Sequence, residues 1–453
     1  MPDLHNLTIA EAAARLAARS LSSTDLTNAC LDRIAQRDDE LNAFITVMAD
    51  IARAQAADAD AAFARGESRG PLHGIPISLK DLIDFAGVPT TAASLVRRHH
   101  VATRHATVTE RLLDRGAVIV GKTNLHEFAF GTTSEDSGFG AVRHPIDGTR
   151  SAGGSSGGSA AAIVAGMCLA SIGTDTGGSI RIPAAVCGTV GLKAAFGEIA
   201  TDGVVPLGAT LDNVGPLARS VEDAAILYEA LTDTPVVSTW TLDPPAPQRL
   251  RLGVPGGYFL DVLDDDVRAS FEAAIARLRA NGVHVDEVTI AHAADMQAIY
   301  LLIVLAEAAD YHGPILERSA ASYTAPVRMR LEMGRYVLAE DYLRAQRGRA
   351  VIRREIDAAL DGRDALLLPT VPIPAPIQGA TTVRVGQRDE PVRSAMLRLT
   401  QPFSLSTHPA LTIPAAPTPA GLPVGLQLVG HLGRTPRLLG CGRACEIALG
   451  SSD

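Results

Sequence analysis

The first 66 residues show the spacing of apolar positions that is typical of helices. Thr8 and Glu11 form a capping box ahead of a first helix, and a second helix begins after Ser23, where apolar side chains recur at helical spacing. The Ala-rich segment 45–66 predicts a third helix, closed by a glycine. We expect these three helices to form an N-terminal cap, residues 1–66, that carries no chemistry.

Residues 67–235 alternate between strand-like runs, helical runs and glycine-rich turns, which indicates an α/β protein. In the run 75–80, Ile75 and Leu79 would face one side of a strand, whereas Lys80 would face the other. Residues 203–220 are interpreted as loop-rich. Strands are predicted at 75–80, 117–121 and 168–173, and helices at 105–116, 179–186 and 220–232.

The remaining chain begins with a Pro-containing link at about 236–247. We interpret 236–395 as a variable, substrate-side region and 396–453 as closing strands with a terminal helix. Residues 372–383 are predicted to be a loop. Strands are predicted at 249–257, 283–290, 364–372, 410–416 and 425–430, and helices at 265–282, within 294–360, at 394–406 and at 436–449.

The amino-acid composition and net charge exclude some classes of function. The chain has 453 residues, 47% hydrophobic and 20% charged, which fits a packed protein and excludes disorder. A net charge of -9 disfavours direct binding to nucleic acid or to an anionic membrane. We find no apolar run of the roughly 20 residues that span a bilayer and no secretory signal, so we expect a cytoplasmic protein.

The five cysteines are an odd number at irregular spacing, which favours reduced thiols in the core over a disulfide framework. Cys441 and Cys445 share a helical spacing, but a pair without further ligands is a weak metal signal. We therefore expect no metal site.

Glycine and serine concentrate between residues 151 and 193. One cluster, 153–159, reads GGSSGGS, and a second, 174–179, reads TDTGGS. Each leads into an apolar, helix-competent segment, which linkers do not normally do. Because glycine lets a backbone approach a ligand closely, the two clusters indicate turns that present serines to one cleft.

A serine hydroxyl is a poor nucleophile until a base takes its proton. If the two turns face Lys80, a lysine in a dry cleft offers such a base, because desolvation lowers its pKa. Most lysines near strand ends are solvated, so position alone does not single out Lys80.

Here the chain resembles the amidase signature family of Ser-cisSer-Lys hydrolases. The resemblance rests on the ordered segments GIPISLKD (74–81), GKTNLHEFAFGTTSEDSGFG (121–140), GGSSGGS, GTDTGGSIRIPAAVCGTVGLK (173–193), LDNVGPLARSVEDAA (211–225) and GLPVGLQLVG (421–430). It implies one large α/β domain, residues 1–453, with a central mixed sheet covered by helices on both faces and residues 67–235 as its catalytic core.

The resemblance also implies the roles of the site residues. Ser179 would be the nucleophile, Lys80 the base, and Ser155, after a cis Gly154–Ser155 bond, the proton relay. The backbone amides of Thr176, Gly177, Gly178 and Ser179 would form the oxyanion hole, and Ser156, Asp175 and Arg181 would brace the loop.

The implied reaction converts a small carboxylic amide to an acid and ammonia or an amine through an acyl-enzyme, without a metal or cofactor. Pocket residues are expected from 125–135 and 294–400, and a homodimer is left open. The alternative within the same fold is the glutaminase component of a tRNA-dependent amidotransferase, its A subunit, which passes ammonia to a partner protein. Segment 121–140 resembles those proteins equally well.

Four further interpretations are weaker. The run from Gly116 to Thr123 matches a phosphate-loop pattern, but its apolar middle favours a buried strand. A GxSxG elbow with Ser155 as nucleophile would need a preceding strand and a downstream histidine. An aspartic protease at Asp175 would need a second motif, and a scaffold protein would have no reason to keep all three triad groups.

Overall fold

One 11-stranded mixed sheet organises the protein. The computed structural model describes residues 4–243, 245–386 and 388–450. The sheet and a separate hairpin are formed by β1 (Phe44–Val47), β2 (Pro76–Lys80), β3 (Val118–Thr123), β4 (Ala170–Asp175), β5 (Val190–Lys193), β6 (Asn213–Ala218), β7 (Arg251–Pro255), β8 (His284–Val288), β9 (Ala365–Pro369), β10 (Thr382–Val385), β11 (Arg388–Pro391), β12 (Ala410–Pro414) and β13 (Gly425–Val429).

Helices flank this sheet. They are α1 (Ile9–Ala17), α2 (Ser23–Leu41), α3 (Ala49–Ala64), α4 (Thr107–Asp114), α5 (Gly157–Val164), α6 (Arg181–Cys187), α7 (Val221–Thr232), α8 (Val237–Leu242), α9 (Asp265–Ala280), α10 (Met296–Ser319), α11 (Ala325–Gly334), α12 (Ala339–Leu360), α13 (Val392–Leu397), α14 (Gln401–Leu405) and α15 (Thr435–Leu449). The predicted α/β class with a central mixed sheet is confirmed.

The strand order is β1-β3-β2-β4-β6-β5-β12-β13-β9-β7-β8, and β10 and β11 form a separate two-stranded sheet. β2 runs parallel to β3 and β4, whereas β4 and β6 are antiparallel. Every residue of β2 and β4 is buried, as expected for strands covered on both faces. Because β2 and β4 are parallel neighbours, their carboxyl ends, and the loops that follow, lie at the same edge of the sheet.

Local sequence chemistry explains the N-terminal elements. The predicted capping box of Thr8 and Glu11 is confirmed at α1, and α2 begins where expected, with Ser22 as its N-cap. The prediction of helix for residues 45–47 is wrong, because β1 pairs antiparallel with β3 there. The three side chains, Ile, Thr and Val, are all β-branched and therefore suit a strand at the sheet edge.

Four other local predictions need correction. The stretch 203–220 contains β6, whose glycine and proline hid the strand; a Cβ at Gly215 would lie 2.1 Å from the Leu192 carbonyl oxygen. The link at 236–247 contains α8, and β10 begins within the predicted loop 372–383. The predicted helix 394–406 divides into α13 and α14, with Pro402 in the first turn of α14.

α10 corrects the expectation that no apolar run is long enough to cross a bilayer. The helical stretch Ala293–Ser322 passes that test by length and composition. Tyr300, Ile303 and Val304 of this helix are buried, and α10 packs against α11, α12 and α14. This packing is typical of a helix that belongs to a protein core.

Candidate active site

Lys80 ends β2 with its side chain buried. Its Nζ lies 2.7 Å from Ser155 Oγ and 2.8 Å from Thr174 Oγ1. Thr174 lies on β4, the parallel neighbour of β2, so the sheet itself sets the distance between the amine and this hydroxyl. The fold thus brings Lys80 to the first glycine-serine turn, and Thr174 is a partner that the sequence did not reveal.

The environment of Lys80 favours the neutral amine. Burial lowers the pKa of Lys80 to about 7, against the opposing effect of the negative charges of Asp175 and Asp212. In a substantial fraction of the molecules, the Lys80 amine is therefore unprotonated at neutral pH and able to accept a proton.

Ser155 is held in a tightly packed turn. The Gly154–Ser155 peptide bond is cis, as the resemblance implied. The carbonyl oxygen of Ser155 accepts hydrogen bonds from His126 N and Ser134 Oγ, both at 3.1 Å. A Cβ at Gly154 would lie 2.8 Å from the backbone nitrogens of Thr133 and Ser134, so the position has room only for glycine.

Ser179 lies in the turn between β4 and α6 and is 6% exposed. Its carbonyl oxygen accepts a hydrogen bond from Ser156 N at 3.1 Å, so the two glycine-serine turns meet. Ser156 Oγ in turn donates to the carbonyl oxygen of Thr174 at 3.3 Å. Both turns therefore face one site.

The glycines before Ser179 leave backbone donors free. In the described part of the chain, the amides of Thr176, Gly177, Gly178 and Ser179, the four predicted for the oxyanion hole, donate no hydrogen bond. Gly178 has a φ of +145°, a conformation that side-chain-bearing residues rarely adopt. Thr400 Oγ1 donates to the Gly177 carbonyl oxygen at 2.7 Å, and this hydrogen bond holds the turn in place.

Asp175 and Arg181 brace this turn from both ends. Their side chains are fully buried and joined by an ion pair at 2.8 Å. Asp175 also accepts hydrogen bonds from the Ile180 and Arg181 amides, at 3.2 and 3.4 Å. Although burial alone would raise it, the charge and hydrogen bonds of Arg181 lower the pKa of Asp175 below its ordinary value.

Further hydrogen bonds of Arg181 link the turn to α14 and to β13. Arg181 donates to the Thr400 carbonyl oxygen at 2.8 Å, to Gln427 Oε1 at 2.6 Å and to Ser404 Oγ at 2.7 Å. Sequence reasoning placed Arg181 near the site but missed these partners, which lie far away along the chain.

Two further features lie next to the catalytic turn. A Cβ at Gly177 would lie 2.3 Å from the Tyr300 hydroxyl and 3.1 Å from Leu397 Cδ2, so these two side chains cover the turn. A cavity of about 150 Å³ lies beside Thr174 and Thr176, with Asp212 in its wall. Of the segments expected to supply the pocket, 125–135 contributes Ala129 to this cavity, whereas Tyr300 and Leu397 from 294–400 lie beside Gly177 and not in the cavity wall.

Asp212 is a second residue that the sequence did not reveal. Its Oδ1 accepts a hydrogen bond from Thr176 Oγ1 at 2.6 Å, and its carboxylate also accepts from the Leu207 and Gly208 amides. Burial raises the pKa of Asp212 to about 6. The negative charge of Asp212 favours the protonated form of Lys80 and so opposes the effect of burial on the pKa of that lysine.

Two of the competing interpretations, the phosphate loop and the GxSxG elbow, lose support. The run 118–123 is strand β3, not a phosphate loop. His312 contacts Tyr323, and His408 pairs with Asp357, so neither bonds Ser155.

The fold and the site define an enzyme that acts on amide C–N bonds. The Amidase family model matches residues 25–439, and the chain belongs to this family.

Relatives and solved structures agree with the assignment. The A subunit of glutamyl-tRNA(Gln) amidotransferase from Synechococcus sp. (strain CC9605) is 39% identical, with 98% of this chain and 97% of that protein covered. A crystal structure of an amidase is 37% identical, with a TM-score of 0.92 and coverage of 98% and 100%. One chain of a structure described as a vestigial protein complex that reveals the evolutionary origins of an s-triazine catabolic enzyme is 34% identical to this chain. The two superimpose with a TM-score of 0.93, and the match covers 97% of this chain and 98% of that one.

Proposed function

We propose that the protein hydrolyses an amide through an acyl-enzyme on Ser179. Neutral Lys80 accepts the proton of Ser155 Oγ, and Ser155 accepts the proton of Ser179 as Ser179 attacks the amide carbonyl carbon. The tetrahedral intermediate collapses with the relayed proton on the leaving nitrogen. Water then attacks the ester through the same relay and releases the acid. The observation that carries this proposal is the 2.7 Å contact between buried Lys80 and Ser155.

The free amides at Thr176, Gly177, Gly178 and Ser179 support a role in stabilising the oxyanion. Such donors act most strongly where water is excluded and where they need no reorganisation. Thr400 behind Gly177 and the Asp175–Arg181 pair hold the donors in place before substrate arrives. No step in this mechanism calls for a metal or an organic cofactor.

Two biological settings fit this chemistry. The curated relatives favour the glutaminase component of a tRNA-dependent amidotransferase, because the Synechococcus relative is the A subunit of such an enzyme and matches over nearly its whole length. The TM-score of 0.92 to a structure described simply as an amidase is the observation in favour of a free amidase. A cytoplasmic location fits either setting.

Ammonia release by the purified chain tests the proposal. We expect hydrolysis of simple amides by the wild type and none by Ser179→Ala at equal folded concentration. Lys80→Ala should lose activity and recover part of it at high pH, where hydroxide replaces the base. Full activity of either variant at pH 7 would contradict the assigned roles. Glutaminase activity that depends on partner proteins would decide for the amidotransferase setting.

A further inference from the structure

Two helices hold one residue of the loop before β6. Glu307, on α10, accepts hydrogen bonds from the amide and the hydroxyl of Thr210, at 3.0 and 2.7 Å. Arg349, on α12, donates to the hydroxyl and to the carbonyl oxygen of Thr210, at 2.9 and 2.6 Å. Every polar group of Thr210 is therefore bonded to a side chain that lies 97 or 139 positions further along the chain.

The two charged partners of Thr210 are themselves held in place. Arg349 is 8% exposed, and its Nε donates to the Leu405 carbonyl oxygen at 2.7 Å. The Tyr342 hydroxyl donates to Glu307 Oε1 at 3.0 Å. Hydrogen bonds in which one partner is charged are stronger than those between neutral groups. The helices therefore fix Thr210 more firmly than an ordinary loop residue.

The turn that contains Thr210 closes on Asp212. The Leu207 and Gly208 amides donate to the Asp212 carboxylate, at 2.8 and 3.1 Å. The Asp212 amide donates back to the Gly208 carbonyl oxygen at 2.9 Å. Because these hydrogen bonds join the two ends of the turn, a displacement of Thr210 moves Asp212 with it.

Asp212 acts on two parts of the catalytic site. Thr176 Oγ1 donates to Asp212 Oδ1 at 2.6 Å, and the Thr176 amide is the first of the four free amides. The charges of Asp175 and Asp212 both favour the ammonium form of Lys80. Asp175 is fixed by its own buried ion pair, whereas the position of Asp212 depends on the turn around Thr210.

We propose that Glu307 and Arg349 are positioning residues for the reaction at Ser179, because they hold Thr210 and thereby fix Asp212 beside the catalytic turn. This inference rests on the proposed hydrolysis. Both side chains act through Thr210 and Asp212 rather than on the substrate. A tether that served the fold alone would contribute to stability and would leave the pH dependence of the reaction unchanged.

Thr210→Val tests the inference without changing any charge, because valine keeps the branched shape and removes only the hydroxyl. We expect kcat to fall about tenfold, since this hydroxyl bonds two charged groups. The midpoint of the kcat/KM pH profile should move to lower pH, because a less firmly held Asp212 stabilises the Lys80 ammonium less. Thr210→Ser, which keeps the hydroxyl, should restore both values.

Thr232→Val is the matched control. Thr232 is half-buried, as Thr210 is, and its hydroxyl donates to the Tyr228 carbonyl oxygen on α7 at 2.8 Å. The control should keep the wild-type kcat and midpoint. In an Asp212→Asn background, Thr210→Val should move the midpoint no further. A Thr210→Val midpoint equal to that of the control, or an equal shift with and without the Asp212 charge, would overturn the inference.

A second measurement does not depend on turnover. The sequence contains three lysines, Lys80, Lys122 and Lys193, so isotope-labelled lysine gives a simple NMR spectrum in which Lys80→Ala identifies the Lys80 signal. If the wild type hydrolyses no amide, the proposed function fails, and the NMR titration of Lys80 decides the inference alone. Lys80 should then lose its proton at lower pH in Thr210→Val than in the wild type; equal titration would overturn the inference.

Discussion

Asp175→Asn removes one charge from a fully buried ion pair while keeping the shape of the side chain. In the native protein Arg181 contacts both carboxylate oxygens, at 2.8 and 2.9 Å, and neither side chain is exposed. The substitution leaves Arg181 with neutral partners only. It also removes the negative charge that opposes the repulsion between Arg181 and the buried Lys193.

The burial of the Asp175–Arg181 pair sets how much unfolding free energy the substitution removes. Breaking a buried pair by removing one partner costs about 3–5 kcal/mol, because the other charge stays buried without compensation. Asparagine retains one acceptor, and Arg181 keeps its neutral acceptors on Thr400, Gln427 and Ser404, so we expect the lower end, about 3 kcal/mol. The Asp175 carboxylate also accepts hydrogen bonds from the Ile180 and Arg181 amides, which follow Ser179. The substitution should therefore lower kcat as well as the free energy of unfolding.

Urea unfolding followed by circular dichroism measures the change. The matched control is Asp233→Asn, since Asp233 pairs with two arginines, at 2.6 Å each, but is 59% exposed. An exposed pair contributes less than about 1 kcal/mol. The lowered pKa of Asp175 means that its contribution is complete above its ordinary value of 3.8 and disappears as the pH falls through the native pKa. An Asp175→Asn loss no larger than that of Asp233→Asn at pH 7 would refute the reasoning.

Two further predictions concern the pH profile and the catalytic turn. Activity should rise with pH through about 7 as Lys80 loses its proton. Asp212→Asn should move this midpoint of kcat/KM to lower pH, because the charge of Asp212 favours the ammonium; an unchanged or higher midpoint would contradict the electrostatic link. Gly177→Ala should lower kcat by about 100-fold or more, because its Cβ would lie 2.3 Å from the Tyr300 hydroxyl. Gly148→Ala, which has no neighbour within 4 Å, should match the wild type, and equal rates for both variants would show that the turn tolerates displacement.

The sequence indicated the two serine turns, because glycine clusters that lead into apolar segments are not typical of linkers. It did not single out Lys80 without the resemblance, since burial decides the pKa of a lysine and depends on strands distant in sequence. Thr174 and Asp212 were not predicted for the same reason. Thr174 reaches Lys80 because β4 lies beside β2, and Asp212 reaches Thr176 because the loop before β6 folds back onto the turn after β4.

The mistaken predictions within the fold have local causes. Ile45 and its neighbours precede an Ala-rich helix and continue its apolar run, so periodicity alone could not show that they pair with β3. β6 was missed because Gly215 and Pro216, which usually mark turns, lie inside a strand whose close neighbour requires a glycine.

The identity of the serine that receives the acyl group is the most direct test of the proposed mechanism. The purified protein is treated with a serine-reactive fluorophosphonate, and the modified peptide is identified by mass spectrometry. We predict one adduct, on Ser179, which forms more slowly in Lys80→Ala and is absent in Ser179→Ala. An adduct on Ser155, or one that persists in Ser179→Ala, would contradict the assignment of Ser179 as nucleophile and Ser155 as relay.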